Sequence, residues 1–178
     1  THFEVDHVEI KNSGFAGIIA KTDPGCDDAT IRENFLMENV DIHHNYIHGT
    51  GGEGIYAGNS WYAGMSTACG TRLPHEIHNI RIFNNLLKNT GWEAIQLGCA
   101  TRGASIYSNT IENYGTQNKN TQNIQVGLGL TCAGVASFLA SENIHVVETG
   151  AREALAHGGG DRRHGGQGLN RLPAGHTP

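Results

Sequence analysis

Three segments of the chain carry one pattern: ENVDIHHNYIHGTGGEGIYAGN at 38–59, HNIRIFNNLLKNTGWEAIQLGC at 78–99 and GASIYSNTIENYG at 103–115. Each has aliphatic residues at i and i+2, an Asn three residues on, a second short apolar stretch and a turn, usually Thr-Gly. Another aliphatic alternation then follows. Repeats built from short strands and Asn/Gly turns cannot bury their apolar side chains alone, so they must stack on one another. Every sequence position becomes a column, and function is to be sought by column.

Setting the turn glycines in register places Gly14, Gly51, Gly91 and Gly115 in one column, 37, 40 and 24 residues apart. The shortest spacing is close to a bare repeat, so the other two carry insertions of about 13–16 residues. The same register stacks Val5, Ile42, Ile82 and Ile106; Ile10, Ile47, Leu87 and Ile111; Ile18, Ile55, Ile95 and Ile124; and Ala20, Ala57, Leu97 and Val126. These columns alternate by two and read as core. Asn45, Asn85 and Asn109 share another column, with Val8 in the first repeat. Stacked amides supply each other's hydrogen-bond partners, so this column reads as structural. Ser13, Thr50 and Thr90 suit the turn before the glycine.

The expected fold class is therefore all-β: a right-handed parallel β-helix, a single-stranded solenoid of about four to five coils. Residues 1–159 form it, with 136–159 a degenerate last coil containing inward Ile144 and Val146 and a Thr149-Gly150 turn. Residues 160–178 are rich in Gly, Arg and His and too poor in apolar residues to bury a core, so they read as a disordered or aberrant tail. With 12 basic against 17 acidic residues the net charge is −5 and no basic stripe stands out, which argues against nucleic acid. No apolar run reaches membrane-span length. The chain opens in mid-pattern, as a mature domain or excised fragment does. Uncapped coil ends suit further coils of a longer chain or self-association.

NIRIFNNLLKNTGWEAIQLG resembles the repeat of right-handed parallel β-helix proteins of the pectin-lyase-like superfamily, whose Asn ladder sits in the turn between two strands of each coil. FAGIIAKTDPGCDD, HNYIHGTGGEGIYAGNS and LPHEIHNIRIFNN resemble secreted bacterial β-helix proteins. The likeness runs over residues 3–135. It implies an extracellular or cell-surface location and a polysaccharide partner lying along one strand face, here GIIAK, GIYAG, AIQLG and NIQVG. The hydrolases of that superfamily carry Asn-Thr-Asp, Gly-His-Gly and Arg-Ile-Lys signatures, and none is present. Its lyases use a Lys or Arg base, for which Lys21 and Arg102 are the candidates.

Strand alternation turns three columns of that face outward: Ile19, Tyr56, Gln96 and Gln125; Lys21, Gly58, Gly98 and Gly127; and Gly17, Gly54, Ala94 and Asn123. Tyr56, Gln96 and Gln125 offer groups suited to sugar hydroxyls over a floor of bare backbone. Two insertions, 23–36 and 60–77, leave the same corner of neighbouring coils and should pack side by side along this floor. Trp61 and Tyr62 in the second could stack on a sugar ring, with Trp92 at the margin. Glu53 and Glu93 share a column just before the strand, as turn caps, as a Ca²⁺ pair or as catalytic acids beside Lys21. Asp23, Asp27 and Asp28 could also hold Ca²⁺ in the first insertion. His43, His44 and His48 lie on different strands and are not expected to converge on zinc, so no metal site is assigned. Lys11, His48, Lys88 and Glu112 form a column of solvated cross-strand pairs.

The function this implies is a carbohydrate-binding or polysaccharide-degrading protein, lyase or hydrolase. The alternative is a non-catalytic stalk or adhesin-type module of a larger surface protein. Four cysteines suit an oxidising compartment. Cys26 and Cys69 lie in the two insertions and are placed to pair; Cys99 and Cys132, which follow the same strand in later coils, are alternatives.

Overall fold

Strands in this chain are short because residues in the left-handed conformation end them. The computed structural model describes residues 1–117 and the backbone of three later strands. β1 (Phe3–Asp6) stops at His7, β2 (Glu9–Lys11) at Asn12, β4 (Leu36–His43) at His44 and β5 (Tyr46–His48) at Gly49. β6 (Ile55–Ala57) stops at Gly58, β9 (Glu76–Phe83) at Asn84, β10 (Leu86–Lys88) at Asn89 and β11 (Ile95–Gly98) at Cys99. β13 (Ala104–Tyr107) stops at Ser108 and β14 (Thr110–Glu112) at Asn113. Their φ angles run from 51° to 67°. That region is costly for most L-residues and least so for Gly, with Asn and His enriched there, which is why the corners draw on those types. Asn39 and Asn79, also left-handed, bend the eight-residue β4 and β9 in mid-strand.

The remaining strands are β3 (Ile18–Ala20), the hairpin β7 (Met65–Thr67) and β8 (Gly70–Arg72), β12 (Ala100–Arg102), and β15 (Leu130–Ala133), β16 (Phe138–Ala140) and β17 (His145–Val147). The protein is all-β, and a single three-residue 3₁₀ turn, Asp28–Thr30, is the helical content of the described residues. Three separate parallel sheets form, in the orders β1-β4-β9-β13-β16, β2-β5-β10-β14-β17 and β3-β6-β11-β15, with β12 beside β9. The chain visits them in a fixed sequence, and each strand pairs only with its counterparts in the repeats before and after.

Register bears out most of the expected columns. Val5, Ile42, Ile82 and Ile106 lie in line, as do Ile10, Ile47, Leu87 and Ile111, and Ile18, Ile55 and Ile95. From Ile42 to Ile111 these side chains are fully buried. Val146 pairs with Ile111, in line with the core column of the second sheet.

The third sheet departs from expectation at its last strand. Leu130, Thr131 and Cys132 pair with Ile95, Gln96 and Leu97, where Ile124, Gln125 and Val126 were expected. The apolar alternation runs unbroken from Ile124 to Cys132, so a slip of an even number of residues leaves the same face inside, and phase alone cannot fix the register. Residues 122–127, Ile144, the Thr149-Gly150 turn and the tail 160–178 lie outside the described residues. The turn column is also corrected: Gly51 and Gly91 donate to Ser13 O and Thr50 O, but it is Thr116 N that donates to Thr90 O, one residue beyond Gly115.

The Asn column binds neighbouring repeats together. Asn45 Nδ2 donates to Asn85 Oδ1 at 3.0 Å and to Val5 O at 2.9 Å; Asn85 Nδ2 donates to Asn109 Oδ1 and to Ile42 O, both at 2.9 Å. The same Oδ1 atoms accept the backbone N–H of the preceding repeat, from Val8, Asn45 and Asn85 in turn. All three side chains are buried. Thr50 and Thr90 donate to Gly52 O and Trp92 O and hold the next turn.

The two insertions pack against each other, as expected. Cys26 and Cys69 are bonded with a Cα–Cα distance of 5.4 Å, while Cys99 is a buried free thiol. An Ile31–Pro74 bridge, the Arg72–Asp28 ion pair at 2.9 Å and a hydrogen bond from Arg32 Nε to Pro74 O complete the contact.

Two outcomes follow. Asn85→Ala should cost about 3 kcal/mol in urea denaturation, since several buried polar groups lose a partner at about 1–3 kcal/mol each. Asn84→Gly, at an exposed corner that glycine adopts freely, should stay within about 0.5 kcal/mol. Replacing Cys26 and Cys69 together by Ser should cost about 2–4 kcal/mol in the same assay.

Candidate functional site

Pairing in the third sheet sets Ile19, Tyr56 and Gln96 in one row, with Thr131 rather than Gln125 at its end. Tyr56 and Gln96 are joined through Ser60: its hydroxyl lies 3.0 Å from Tyr56 Oη and accepts a hydrogen bond from Gln96 Nε2. Lys21 Nζ sits 4.3 Å above the Tyr56 ring and donates to Asp23 Oδ1 at 2.8 Å. Asn59 Nδ2 donates to the same oxygen at 2.6 Å, and Asn59 Oδ1 receives Trp61 N at 2.8 Å. A continuous polar chain thus runs from Gln96 through Ser60 to Tyr56, across the Lys21 ammonium to Asp23 and on to Asn59. It ends at Trp61, which is 65 % exposed, and Ile19 beside it is 50 % exposed.

Three of the expected site residues, Lys21, Tyr56 and Gln96, are brought together, and Trp61 borders them. The others are not on this surface. Glu53 and Glu93 are 2 % and 1 % exposed, closed in at the turn, so they are not presented to a ligand on an open face. Trp92 is buried with its ring edge-on to Phe15, centroids 5.4 Å apart, and is a packing residue. The expected glycine floor is corrected too. A Cβ on Gly54 would fall 2.5 Å from Leu87 Cδ2 and from Ala94 O, and Ala94 is itself core, so this column faces inward. A Cβ on Gly58 would lie 1.8 Å from Gly98 O; close contact between repeats, not a binding floor, requires glycine there.

Burial opposes the charge of Lys21, but the hydrogen bond to Asp23 and the charges of Tyr56 and Asp23 outweigh it and hold its pKa above the ordinary lysine value. Lys21 therefore stays protonated at neutral pH and is a poor general base. Arg102 lies on β12, which pairs with β9 in another sheet. The acidic insertion does not gather on one point: Asp23 holds Lys21 and Asn59, Asp27 caps Ala29 N and Asp28 pairs with Arg72. The outward column of the second sheet is as expected, with Lys88–Glu112 at 2.7 Å; His48 turns to Glu9 at 3.0 Å.

Ser60 and Asn59 escaped sequence reasoning, although both stand in the GNSW run that leaves the strand. So did a second polar group, in which Glu76 accepts from Thr101 Oγ1 at 2.6 Å and lies 3.4 Å from His78 Nε2 and 3.6 Å from Arg32 Nε. Arg32 also stacks on Tyr62, 4.2 Å from the ring centre, so Tyr62 is engaged within the insertion. His75 next to it is fully buried; its Nε2 accepts Thr22 N at 3.2 Å and its Nδ1 donates to Glu76 O at 3.0 Å.

No family model matches the chain, and no curated protein or solved structure matches it either. Among the described residues no helix is long and apolar enough to cross a membrane.

Burial lowers the pKa of His75 below its ordinary 6.5 and outweighs the hydrogen bond to Glu76, so the folded protein holds it neutral. The unfolded chain then binds more protons near and below pH 6.5. His75's contribution is complete above that pH and is lost as pH falls toward the depressed folded value. The melting-temperature gap between wild type and His75→Gln should shrink between pH 7.5 and pH 5. A gap that stays constant would count against a neutral buried imidazole.

Proposed function

We propose that the three parallel sheets are the faces of one right-handed parallel β-helix of the pectin-lyase-like kind, and that this chain is a carbohydrate-binding module without turnover of its own. The rotation of the chain through three sheets and the buried Asn ladder support the fold reading. The Cys26–Cys69 bond suits an oxidising, extracellular or cell-surface setting.

The observation that carries the function is the exposed Trp61 indole at the end of a chain of side-chain amides and hydroxyls. An aromatic face beside fixed donors and acceptors is the chemistry that recognises a sugar ring and its hydroxyls. Binding is favoured over cleavage because Glu53 and Glu93 are closed in and Lys21 is held charged. A lyase or hydrolase needs a group that gives or takes a proton within reach of the substrate.

Affinity electrophoresis against neutral and acidic polysaccharides should show retardation that Trp61→Ala reduces at least about tenfold, with the melting temperature unchanged because the ring is exposed. Tyr56→Phe, which removes the contact with Ser60, should weaken binding less. Release of reducing ends or unsaturated products would overturn the non-catalytic reading. Retention of full affinity by Trp61→Ala would overturn the site.

A further inference from the structure

Alternation on the first sheet puts Val5 and Ile42 inward, so Glu4, Asp6, Asp41 and His43 face outward. Asp6 pairs directly with His43, and Glu4 with Asp41. Asp41 is taken by Arg81, whose Nε donates to it at 2.7 Å. Glu4, Asp6 and His43 remain, and they converge: one ligand atom from each lies within 4.8 Å of the others. No other group of three or more His, Cys, Asp or Glu converges in this way among the described residues.

The imidazole is held in place before any ligand arrives. The His43 ring stacks on Phe83 with centroids 4.5 Å apart, and Phe83 stacks on Tyr107. On the other side, His43 Nδ1 and His44 Nδ1 are 2.7 Å apart. One proton lies between those two nitrogens. With that proton on His43, its Nε2 presents a lone pair to Glu4 Oε1, with which it is in contact. An imidazole lone pair facing a carboxylate oxygen needs a proton or a cation between them. Two carboxylates and a neutral imidazole, with the second ring nitrogen fixed by a partner, form a donor set suited to a borderline dication. His7 and His44 stack at 5.0 Å along one side, and His7 Nδ1 also engages Asp6.

We propose that Glu4, Asp6 and His43 form a surface site for a divalent transition metal of the zinc type, bridging the first two repeats. Ligands at about 2.0–2.2 Å from an ion stand about 3.3 Å apart in a tetrahedron, so the exposed Glu4 and Asp6 side chains must draw in by about an ångström. Binding displaces the proton between His43 and Glu4 and joins β1 to β4 by a bond that crosses the repeat boundary.

Zn²⁺ titrated into the full chain by calorimetry should fill one more site in wild type than in His43→Ala. Glu4→Gln should weaken that site at least tenfold, and His48→Ala, on the second sheet, should leave it unchanged. Co²⁺ in its place should give visible d–d absorption that His43→Ala abolishes. Circular dichroism of each variant separates loss of ligand from loss of fold. Equal Zn²⁺ binding by wild type and by folded His43→Ala overturns the site. So does equal loss in His48→Ala, or a preference for Ca²⁺ over Zn²⁺ at these residues.

Discussion

Everything in this molecule rests on making a sharp corner with one residue. A strand that ends in a left-handed residue changes direction at once, and the next strand starts two residues later. The cost of that conformation, about 1–2 kcal/mol for most L-residues, is kept low by Asn, Gly and His. The N–H and C=O groups disturbed at the corner then need partners. The buried Asn45–Asn85–Asn109 column supplies them, each amide serving its own repeat and the next. Corner and ladder are adjacent in sequence, as in His44-Asn45, Asn84-Asn85 and Ser108-Asn109. The first residue turns the chain and the second satisfies it.

That economy explains what could be read from the sequence. The ladder and the core columns were legible because period-two alternation and a recurrent Asn leave little freedom. The pairing of Cys26 with Cys69 was legible because two insertions leaving one corner of adjacent repeats have to meet. The left-handed roles of Asn39, Asn79 and Asn84 were not, since an Asn at a corner and an Asn in a ladder look alike in sequence. The strand Leu130–Ala133 was misplaced by six residues because an unbroken alternation has no marker of register.

The candidate site was legible in part, and for the same reason. Lys21, Tyr56 and Gln96 were found because a column fixes them on one strand face. Ser60 and Asn59, which connect them, stand in an insertion whose path no repeat dictates. Glu53 and Glu93 misled because position before a strand says nothing about cover, and neighbouring turns close over them. The imidazole–carboxylate group on the first sheet was missed because its members come from two repeats, and His43 with His44 was weighed against His48 instead of against Glu4 and Asp6.

Strands that pair only with the repeat before and the repeat after give the chain two ends at which it can peel. The Cys26–Cys69 bond spans 43 residues and fastens the first repeat to the second. Peeling from that end is thereby blocked after a few residues, while the far end has only hydrogen bonds and packing to lose. Under load, or in a slow equilibrium of partial opening, the molecule is therefore directional: it comes apart like a zip with its slider pinned at the first tooth.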